Sequence, residues 1–568
     1  MTLKEMLSQI DDLPNVWGEG ALFAFSGLDG PTNVSSGFVA TYAAEKYGLL
    51  FHTPTRRLLD LTLPIDGEVL AATGDVYAVD TAAGLLCVAW TAWHTLVGLA
   101  PQGITVDLRI EDGDAAIAQD DCLVSELPGE TLALSKNQEC FSLAFGTSAQ
   151  EAVDRAQVGL AVDLGETVRA RLAFYAQLPP VEAHRRLLNK CAGVIKVNTL
   201  APEGAFTRIW STPDRVPHRW MWLWDSAFHS ITMNHISPPT SFALLASVLQ
   251  TQGDDGMIAH MLRPDGRHSQ ITQPPILAWG VWENYCWSKD TTSLRWARPR
   301  LERYLEWNLT HRDQNSNGLL EWFIEGDPCC RSGESGLDNS PRFDRAALLD
   351  VVDFSTFQAL DMRYLSLICK VLGETDRATA WWTQAQVMSR AIHALLWDEE
   401  KGFYFDRDFD DRPTLSQAVT GFLPLLLDDI PPERVERLVG WLNDPAAFDA
   451  PFPVPSIAIS APEWGTDMWR GATWINFDYL IVKGLEKQGR VDEAARLAGK
   501  VIAFVEKYYA RYGVILEFYD AKDELPPIHC DRKGPYREPY NIRRKMDSIR
   551  DYHWSAALTA ALLWEGYG

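Results

Sequence analysis

The chain has 568 residues, of which 46% are hydrophobic and 23% are charged, and its formal net charge is −24. Its length allows two or more domains with large buried cores, and its composition is typical of a globular protein rather than a disordered one. The strong negative charge argues against the phosphate backbone of nucleic acids and against anionic membrane surfaces, so neither is an expected partner.

The cysteines and the N-terminal segment bear on the cellular compartment. Nine cysteines are scattered along the chain without a C-x-x-C pair, which fits reduced thiols and argues against a zinc site. The first residues lack the cationic start and the apolar stretch of a secretory signal peptide. No stretch reaches the roughly 18 uninterrupted apolar residues of a membrane-spanning helix. We therefore expect a cytoplasmic protein.

Residues 1–180 show the short alternation of apolar and polar residues that is typical of β-strands. Ile104–Ile110 and Val168–Ala176 are two examples, and turn dipeptides such as Pro128-Gly129 separate such stretches. Repeated short strands joined by turns predict an antiparallel β-sandwich as the N-terminal domain. The Pro179-Pro180 pair marks its predicted end.

Residues 181–568 instead carry apolar positions at the spacing of an α-helix. One helix is predicted to be capped by Thr375 or Asp376, and another spans Val491–Tyr509. Roughly eleven such segments follow one another along the chain. Helix pairs repeated in this way can close into an (α/α)6 toroid with a central cavity. The predicted fold class is therefore mainly α, with this toroid as the catalytic domain behind the N-terminal sandwich.

Tryptophan is unevenly distributed along the chain. Of the 22 tryptophans, only Trp17, Trp90 and Trp93 lie before residue 180. Indole rings fill large cores, and they also stack on the faces of sugar rings. Aromatic rings and carboxylates in one cavity would favour a carbohydrate site.

One polar loop, residues 334–344 with the sequence ESGLDNSPRFD, concentrates charged groups. It contains the carboxylates Glu334, Asp338 and Asp344 together with Arg342. Its glycine and proline predict a loop, and a loop at the mouth of a helical toroid can display a general acid. From its composition alone, a solvated loop with a salt bridge remains the alternative.

Five segments of the chain resemble, in order, those of glycoside hydrolase family 63. The 334–344 loop resembles the acid-bearing segment of that family, and its Glu-Ser-Gly-x-Asp part is similar to trehalases. The resemblance implies an inverting glycosidase that uses two carboxylates and requires no cofactor. The other four segments are WLWDSAFH at 222–229, QPPILAW at 273–279, WRGATWIN at 469–476 and HWS at 553–555.

The resemblance also implies roles for particular residues. Asp338 lies where the family has its general acid, and Glu517 lies in the setting of the general base. A general acid must be protonated, so we expect burial or a nearby carboxylate to raise the pKa of Asp338. Inversion requires the two carboxyl groups to stand about 6.5–9.5 Å apart, because a water must fit between them and the sugar. The implied substrate contacts are Trp222, Trp224, Asp225, Gln273, Trp469 and Arg470, with core packing as the alternative for the tryptophans.

A second loop has the spacing of a calcium ligand set. Asp313, Asn315 and Asn317 precede a glycine in a D-x-N-x-N-G pattern, which resembles the first half of a calcium loop. The glutamate of the twelfth EF-hand position is missing, because Ile324 occupies it. Any calcium here would be structural, and an asparagine-rich turn between helices is the alternative.

The sequence thus predicts an inverting α-glycosidase, in the first instance an α-glucosidase, that hydrolyses a small α-glycoside or oligosaccharide. Met468 and Ala472 replace the Tyr and Pro that the family has around its Trp-Arg-Gly motif, which bears on the sugar preference. An α-L-rhamnosidase-type or other-sugar glycosidase on the same barrel, a polysaccharide lyase and a non-catalytic sugar-binding protein are the alternatives. The expected partner is a small carbohydrate, and the oligomeric state is left open.

Overall fold

The computed structural model of the chain forms two compact units. The first unit extends beyond residue 180, where the domain boundary was predicted, and it includes two short segments near the C-terminus. The division of the chain at residue 180 therefore stays a prediction. The first unit is Met1–Arg219, Val505–Ile515 and Arg550–Ala556, and the second is Trp220–Phe504, Leu516–Ile549 and Ala557–Gly568. The residues that the structure describes are 2–53, 55, 59–63, 66–110, 116–327, 329–344, 348–533 and 547–568.

The first unit contains the predicted β-sandwich. Its strands are β1 (Leu22–Phe23), β2 (Val39–Ala43), β3 (Gly48–His52), β4 (Leu59–Thr62), β5 (Gly67–Ala72), β6 (Val76–Thr81), β7 (Gly84–Ala92), β8 (Thr95–Leu99), β9 (Asp107–Ile110), β10 (Ile117–Gln119), β11 (Cys122–Leu127), β12 (Glu130–Lys136) and β13 (Cys140–Gly146). One sheet has the order β1-β2-β3-β4-β9, and the other has the order β10-β11-β12-β13-β8-β7-β6-β5. Neighbouring strands are antiparallel.

The two sheets of the sandwich share an aromatic and aliphatic core. Phe141, Leu143 and Phe145 alternate along β13 and are all buried in this core, since every second residue of a strand points to the same face. Phe38 stacks on Phe145 with ring centroids 4.9 Å apart and packs edge-on against Trp90 at 5.7 Å. Each such side chain contributes about 1.5–3 kcal/mol when it leaves water, so this layer holds the sheets together.

The strand predicted at Val168–Ala176 is wrong. These residues lie in helix α3 (Leu164–Ala176), which packs on β6, β7 and β8 and buries Val168, Leu172 and Tyr175. A stretch this short fits a period of two and a period of 3.6 equally well, and packing on the outer face of the sheet decides for the helix. The two other helices of this region are α1 (Leu3–Leu7) and α2 (Ala149–Leu160).

The rest of the chain is built from helices that follow one another in pairs. None of the helices within the described ranges is long and apolar enough to cross a membrane. The helices are α4 (Arg185–Val197), α5 (Leu223–Ile236), α6 (Pro238–Leu249), α7 (Leu277–Ser288), α8 (Thr291–His311), α9 (Val352–Val371), α10 (Thr375–Ala391), α11 (Pro432–Leu442), α12 (Ile475–Lys487), α13 (Val491–Tyr512) and α14 (His553–Trp564). Short 3-10 helices span Ala44–Lys46, Pro341–Phe343, Val419–Leu426 and Pro527–His529, and a π-helical turn, Ile392–Leu396, follows α10. Two-residue strands are β14 (Thr199–Leu200), β15 (Trp210–Ser211), β16 (Met221–Trp222), β17 (Met261–Leu262), β18 (Leu349–Asp350), β19 (Trp397–Asp398), β20 (Phe403–Tyr404) and β21 (Arg407–Asp408).

Two details of the helix predictions have different outcomes. The helix predicted over Val491–Tyr509 is confirmed as α13. The predicted cap of α10 is wrong, because the helix begins at Thr375 and the preceding residue, Glu374, makes no side-chain cap bond. Thr375 and Asp376 are therefore the first helical residues rather than the cap.

The helices of the second unit form the predicted (α/α)6 toroid. In the inner ring α5 contacts α7, α7 contacts α9, α9 contacts the 3-10 helix Val419–Leu426, and that helix contacts α12. Helix α14 and the residue after it complete the ring: the Thr232 hydroxyl of α5 donates to the carbonyl of Ala557, and the Tyr479 hydroxyl of α12 donates to Glu565. Helices α6, α8 and α10 pack outside on their inner neighbours.

The sequences of the helices explain which ring each one joins. Helix α5 buries almost all of its residues, as expected for a helix enclosed by other helices. Helix α11 buries one face only, with Val435, Leu438, Val439 and Leu442, and leaves its polar face to solvent.

Asp551 connects separate segments of the first unit. Its carboxylate accepts hydrogen bonds from the N–H of Leu22 at 2.8 Å and from the N–H of Ile515 at 3.1 Å, and it lies 2.8 Å from the Lys190 ammonium. The Asp551 side chain is 1% exposed and that of Lys190 is 5% exposed. A buried charge that loses its partner is strongly destabilising.

Asp551→Ala is expected to lower the free energy of unfolding of this unit by about 3–5 kcal/mol, because it leaves the Lys190 ammonium buried without a counter-charge. Chemical denaturation followed by circular dichroism measures the change. Asp80→Ala is the control, since it removes an ion pair with Lys4 at the exposed surface, and it should leave stability nearly unchanged. Equal losses for both variants would contradict the assignment.

Candidate active site

The predicted site residues lie in loops that lead into the inner helices of the second unit. Trp222 directly precedes α5, Gln273 precedes α7, and Asp338 lies before α9. Trp469 precedes α12, and Glu517 lies between α13 and α14. Because inner and outer helices alternate in direction, the loops before the inner helices share one end of the toroid. That end is the candidate active site.

Glu334, the first carboxylate of the 334–344 loop, is a structural anchor. It is fully buried and accepts two hydrogen bonds from the Arg312 guanidinium, at 3.1 and 2.7 Å. It also accepts from the N–H of Thr272 at 3.1 Å and from the N–H of Phe323 at 2.7 Å. Four donors therefore fix this carboxylate within the protein.

Arg342 and Asp344 of the same loop are engaged in ion pairs as well. Arg342 is buried and pairs with Asp353 and with Asp406, the latter at 3.0 Å. Both oxygens of Asp344 accept from Nη2 of Arg470 at 2.6 Å. Arg470, predicted as a substrate contact, is thus held by the 334–344 loop, hereafter the acid loop, and its contact with substrate stays a prediction.

Two consecutive cations connect the predicted catalytic carboxylates. The Lys533 ammonium lies 2.7 Å from Oδ2 of Asp338. Arg532 donates from Nε to Oε2 of Glu517 at 2.8 Å and from Nη2 to Oε1 at 3.3 Å. Arg532, the partner of Glu517, is also close enough to Asp338 to lower the pKa of its carboxyl, so both carboxylates lie near the same cation. Their roles as acid and base stay predictions.

Sequence reasoning missed both cations. Arg532 follows Glu517 in a segment without regular helix or strand periodicity, so no spacing rule connects it to the carboxylate. The available signal is a pair of adjacent basic residues in a chain whose net charge is −24. Adjacent basic residues also occur at 56–57, 185–186 and 543–545, so this signal alone does not single out the site.

The ionisation of Asp338 differs from the expectation. Burial raises the pKa of this carboxyl, but the nearby Lys533, Arg532 and Cys330 thiol lower it further than burial raises it, so the pKa lies below its usual value. The expectation of a raised pKa is therefore wrong for this structure. The physical reason is an ammonium at hydrogen-bonding distance, which stabilises the carboxylate form.

Glu517 is placed by an aromatic stack. Its side chain is buried, and its N–H donates to the carbonyl of Ile549 at 2.8 Å. The next residue, Phe518, stacks on Trp474 at 4.8 Å, and Trp474 stacks on Trp469 at 3.9 Å with nearly parallel rings. Trp469 is therefore packed in an aromatic stack next to Glu517, and its contact with sugar stays a prediction.

Trp224 packs against the acid loop. Gly336 has a φ of +73°, and a Cβ at this position would lie 2.4 Å from Cζ2 of Trp224. Trp224 is 1% exposed, and its N–H donates to Oε1 of Gln273 at 3.2 Å. The Trp224 ring is therefore packed within the protein, and its contact with sugar stays a prediction. Asp225 is buried beside it.

His260 is a site residue that no pattern in the sequence singles out. Trp222 packs edge-on against its ring at 5.0 Å, and Nδ1 lies 2.5 Å from the Ser269 hydroxyl. Burial lowers the pKa of His260 to about 4, although the charge of Asp338 raises it in part. The ring is therefore neutral near pH 7 and can donate or accept a hydrogen bond beside Asp338.

The predicted calcium loop brings oxygen atoms together. The N–H of Asn317 is shared by Oδ1 of Asp313 at 3.0 Å and Oδ1 of Asn315 at 3.2 Å, and the amides of both asparagines donate to Asp350. Burial raises the pKa of Glu321 to about 7, and the charges of Asp350 and Asp313 contribute. These are oxygen donors with excess negative charge, which fits the chemistry of Ca²⁺. No cluster of three or more His, Cys, Asp or Glu arranged to hold a metal occurs among the described residues, so calcium stays a prediction.

A family profile described as the mannosylglycerate hydrolase MGH1-like glycoside hydrolase domain matches residues 218–555. The chain belongs to this family. It is therefore a glycoside hydrolase, and the resemblance to glycoside hydrolase family 63 is confirmed. The matched range includes the acid loop, Glu517 and the two cations.

Three relatives illustrate the range of similarity. The mannosylglycerate hydrolase of Thermus thermophilus is 25% identical over 442 residues, which cover 64% of this chain and 97% of that protein. A probable mannosyl-oligosaccharide glucosidase of Schizosaccharomyces pombe is 28% identical over 33% of this chain and 25% of its own length. An uncharacterized protein of Borreliella burgdorferi is 23% identical over 46% of this chain, and the match spans 54% of that protein.

Two solved structures share the fold. A family 63 mannosylglycerate hydrolase of Thermus thermophilus in complex with glucose has a TM-score of 0.53 and 24% identity, and the match covers 67% of this chain and 100% of the other. A bacterial glucoamylase complexed with acarbose has a TM-score of 0.63 and 12% identity over 98% of this chain and 96% of its own. The second likeness covers nearly the whole chain, including the sandwich.

Gly336→Ala is expected to abolish most hydrolase activity and to lower the melting temperature, because the new Cβ meets the Trp224 ring and the φ of +73° disfavours any L side chain. Activity assays and thermal melts measure the two effects. Gly333→Ala, directly before the same loop, is the matched control, since its Cβ would meet neighbours at ordinary distances of 3.4–3.6 Å. If Gly336→Ala behaved like the control, the contact with Trp224 would not position the loop.

Calcium is expected to raise the melting temperature, and more at pH 8 than at pH 5. Because folding raises the pKa of Glu321 from 4.5 to about 7, its contribution to stability is lost as the pH rises through that interval, and a bound cation would restore it. Differential scanning fluorimetry with calcium or a chelator measures the effect. Asp313→Ser should remove the calcium response. Identical melting temperatures with calcium and with chelator at pH 8 would exclude the site.

Proposed function

We propose that the protein is an inverting α-glycosidase, and more specifically an α-glucosidase, that hydrolyses a small α-glycoside or oligosaccharide in the cytoplasm. The observation that carries this is the convergence of Asp338 and Glu517, which come from different loops, on the adjacent cations Arg532 and Lys533. The chemistry needs two carboxylates at one site. The cytoplasmic location is supported by the nine cysteines, all of which are free.

The proposed reaction assigns one proton transfer to each carboxylate. Asp338, once protonated, gives its proton to the glycosidic oxygen as the bond from that oxygen to the anomeric carbon breaks. Glu517, as a carboxylate, takes a proton from a water whose oxygen forms the new bond from the opposite face. The products are a free sugar of inverted configuration and the alcohol of the leaving group.

A second candidate is a substrate whose leaving group carries a carboxylate. The Thermus thermophilus relative is named for mannosylglycerate, which is such a compound. Arg532 and Lys533 are cations beside the proposed acid and base, and cations of this kind bind carboxylates by charge-assisted hydrogen bonds. A rhamnosidase-type glycosidase on the same barrel and a polysaccharide lyase are the further alternatives that a substrate panel distinguishes.

Proton NMR of the purified protein with α-linked disaccharides and glycosylglycerates tests the proposal directly. The β-anomer of the released sugar is expected first, because a two-carboxylate site with room for water inverts the anomeric centre. The panel also identifies the sugar and the leaving group. Early appearance of the α-anomer would contradict inversion, and an unsaturated product absorbing in the near ultraviolet would indicate a lyase.

Asp338→Asn and Glu517→Gln are each expected to lower kcat by about 10²–10⁴-fold, since each removes one proton-transfer step. The matched control is Glu524→Gln, which changes an exposed carboxylate in the same segment as Glu517 and should leave kcat unchanged. Steady-state kinetics on the substrate identified by NMR measure the losses. Activity retained by either active-site variant would show that the roles are assigned to the wrong carboxylates.

A further inference from the structure

Lys533 is held in position by its backbone. Its φ of +64° lies in the left-handed region, which is unfavourable for a lysine. Its N–H donates to Oδ1 of Asp467 at 2.8 Å, and the Asp467 carbonyl accepts from the Asn339 amide at 3.2 Å. Asn339 directly follows Asp338, so the two ends of this contact chain meet at the predicted acid. The local structure therefore directs the Lys533 side chain to Asp338.

The charged and titratable groups around Asp338 come from three segments. Lys533 and Arg532 approach from the segment after Glu517 and lower the pKa of the Asp338 carboxyl. The Cys330 thiol contacts the carboxyl from the segment before the acid loop, with Oε2 of Glu325 4.0 Å behind the sulfur. His260, from the loop after α6, is neutral near pH 7. Within the described part of the chain, Lys533 is thus the cation in direct contact with Asp338.

The ion pair between Lys533 and Asp338 is unfavourable for a general acid. An acid that protonates a leaving group must carry a proton when the substrate is bound, whereas an ammonium at 2.7 Å favours the carboxylate. The base has no such conflict, because Glu517 must be a carboxylate to accept a proton. The same two consecutive cations therefore suit Glu517 and oppose Asp338.

The two cations differ in how firmly they hold their partners. Arg532 makes two hydrogen bonds to Glu517 through its planar guanidinium, whereas Lys533 contacts Asp338 at one oxygen through an ammonium on a flexible stem. A bidentate pair is geometrically fixed, and a single ammonium contact can be exchanged for another oxygen. The oxygens of a bound glycoside or its leaving group supply such an alternative.

We propose that Lys533 is a positioning residue that keeps Asp338 ionised in the free enzyme and is displaced from it by the bound glycoside, so that substrate binding is coupled to the uptake of one proton by Asp338. This inference rests on the proposed function of Asp338 as the general acid. The proton comes from solvent, and the Lys533 ammonium keeps its own protons and moves to an oxygen of the ligand. No other bond is made or broken in this step.

Lys533→Met tests the proposal through the pH dependence of catalysis. Loss of the ammonium allows Asp338 to stay protonated to higher pH, so the alkaline limb of kcat/KM, which reports the free enzyme, should move up by at least about one pH unit. The alkaline limb of kcat should move much less, because in the complex the ammonium has already left Asp338. Lys533→Arg, which retains the charge, should leave the kcat/KM limb near that of the natural protein.

Lys522→Met is the matched control. It removes a lysine from the same segment whose ammonium lies 4.6 Å from the centre of the Trp464 ring, and both pH profiles should stay unchanged. An unshifted kcat/KM limb in a folded Lys533→Met protein would overturn the proposal. Equal shifts in both limbs would also overturn it, because Lys533 would then remain on Asp338 in the complex.

A titration that needs no substrate separates this proposal from the proposed function. In protein labelled with ¹³C at the aspartate carboxyl carbons, the Asp338→Asn variant identifies the Asp338 resonance. Its titration midpoint should rise by at least about one pH unit in Lys533→Met. An unchanged midpoint would refute the ionic coupling even in an active enzyme. A raised midpoint in a protein that hydrolyses no α-glycoside would refute the proposed function while the coupling stands.

Discussion

The candidate active-site end of the toroid depends on one buried ion pair, between Glu334 and Arg312. A carboxylate taken from water into a protein interior loses several kcal/mol of hydration, and only a full set of donors compensates for that loss. Arg312 supplies two of the donors from the end of α8, and the N–H groups of Thr272 and Phe323 supply the others. Because these donors come from separate loops, satisfying one carboxylate fixes the loops relative to one another.

The fixed position of Glu334 explains the spacing of Glu334, Gly336 and Asp338 in the acid loop. Glu334 is fixed by its donors, and two residues later Gly336 passes over the Trp224 ring in a conformation that other residues avoid. Two residues further along the loop, the Asp338 carboxylate forms an ion pair with Lys533. In the motif Glu-Ser-Gly-Leu-Asp, the glutamate is therefore anchored, the glycine passes close to Trp224, and the aspartate is the proposed general acid.

Much of the architecture could be predicted because periodicity reports which faces are buried. Strand alternation predicted the sandwich, and helical spacing predicted the toroid. The same method was wrong at Val168–Ala176, where a short run fits both periods and only the surface beneath it decides. It was also wrong at the cap of α10, because Thr375 and Asp376 have cap chemistry but Glu374 precedes the first helical turn. Local preference does not determine where a helix must begin to reach its neighbours.

Family resemblance brought Asp338 and Glu517 together, but it could not give the ionisation of the acid. The pKa of Asp338 depends on Lys533. That lysine is placed by a hydrogen bond from its backbone N–H to the Asp467 carboxylate, and no regular sequence spacing predicts this contact. A sequence pattern indicates which residues are neighbours on one helix or strand. The pKa of a carboxyl instead depends on the charges of every segment that lies close to it. The expectation of a raised pKa considered burial and omitted the cations.

The protonation states of the two carboxylates must be opposite during the proposed reaction, although a cation lies beside each of them. In many enzymes the difference comes from unequal environments, with one carboxyl in an apolar pocket and the other in a polar one. Here burial alone does not separate them, since Glu517 is 3% exposed and Asp338 is 19% exposed in their side chains. What differs is the bonding of the cation: two directed contacts on Glu517 and one on Asp338. A cation lies beside each carboxylate, so its presence does not distinguish them. In the proposal, the carboxyl that can take up a proton is the one whose cation can move to an oxygen of the ligand. A lysine and an arginine in adjacent positions are sufficient to create that asymmetry, because the guanidinium remains in place when the ammonium exchanges.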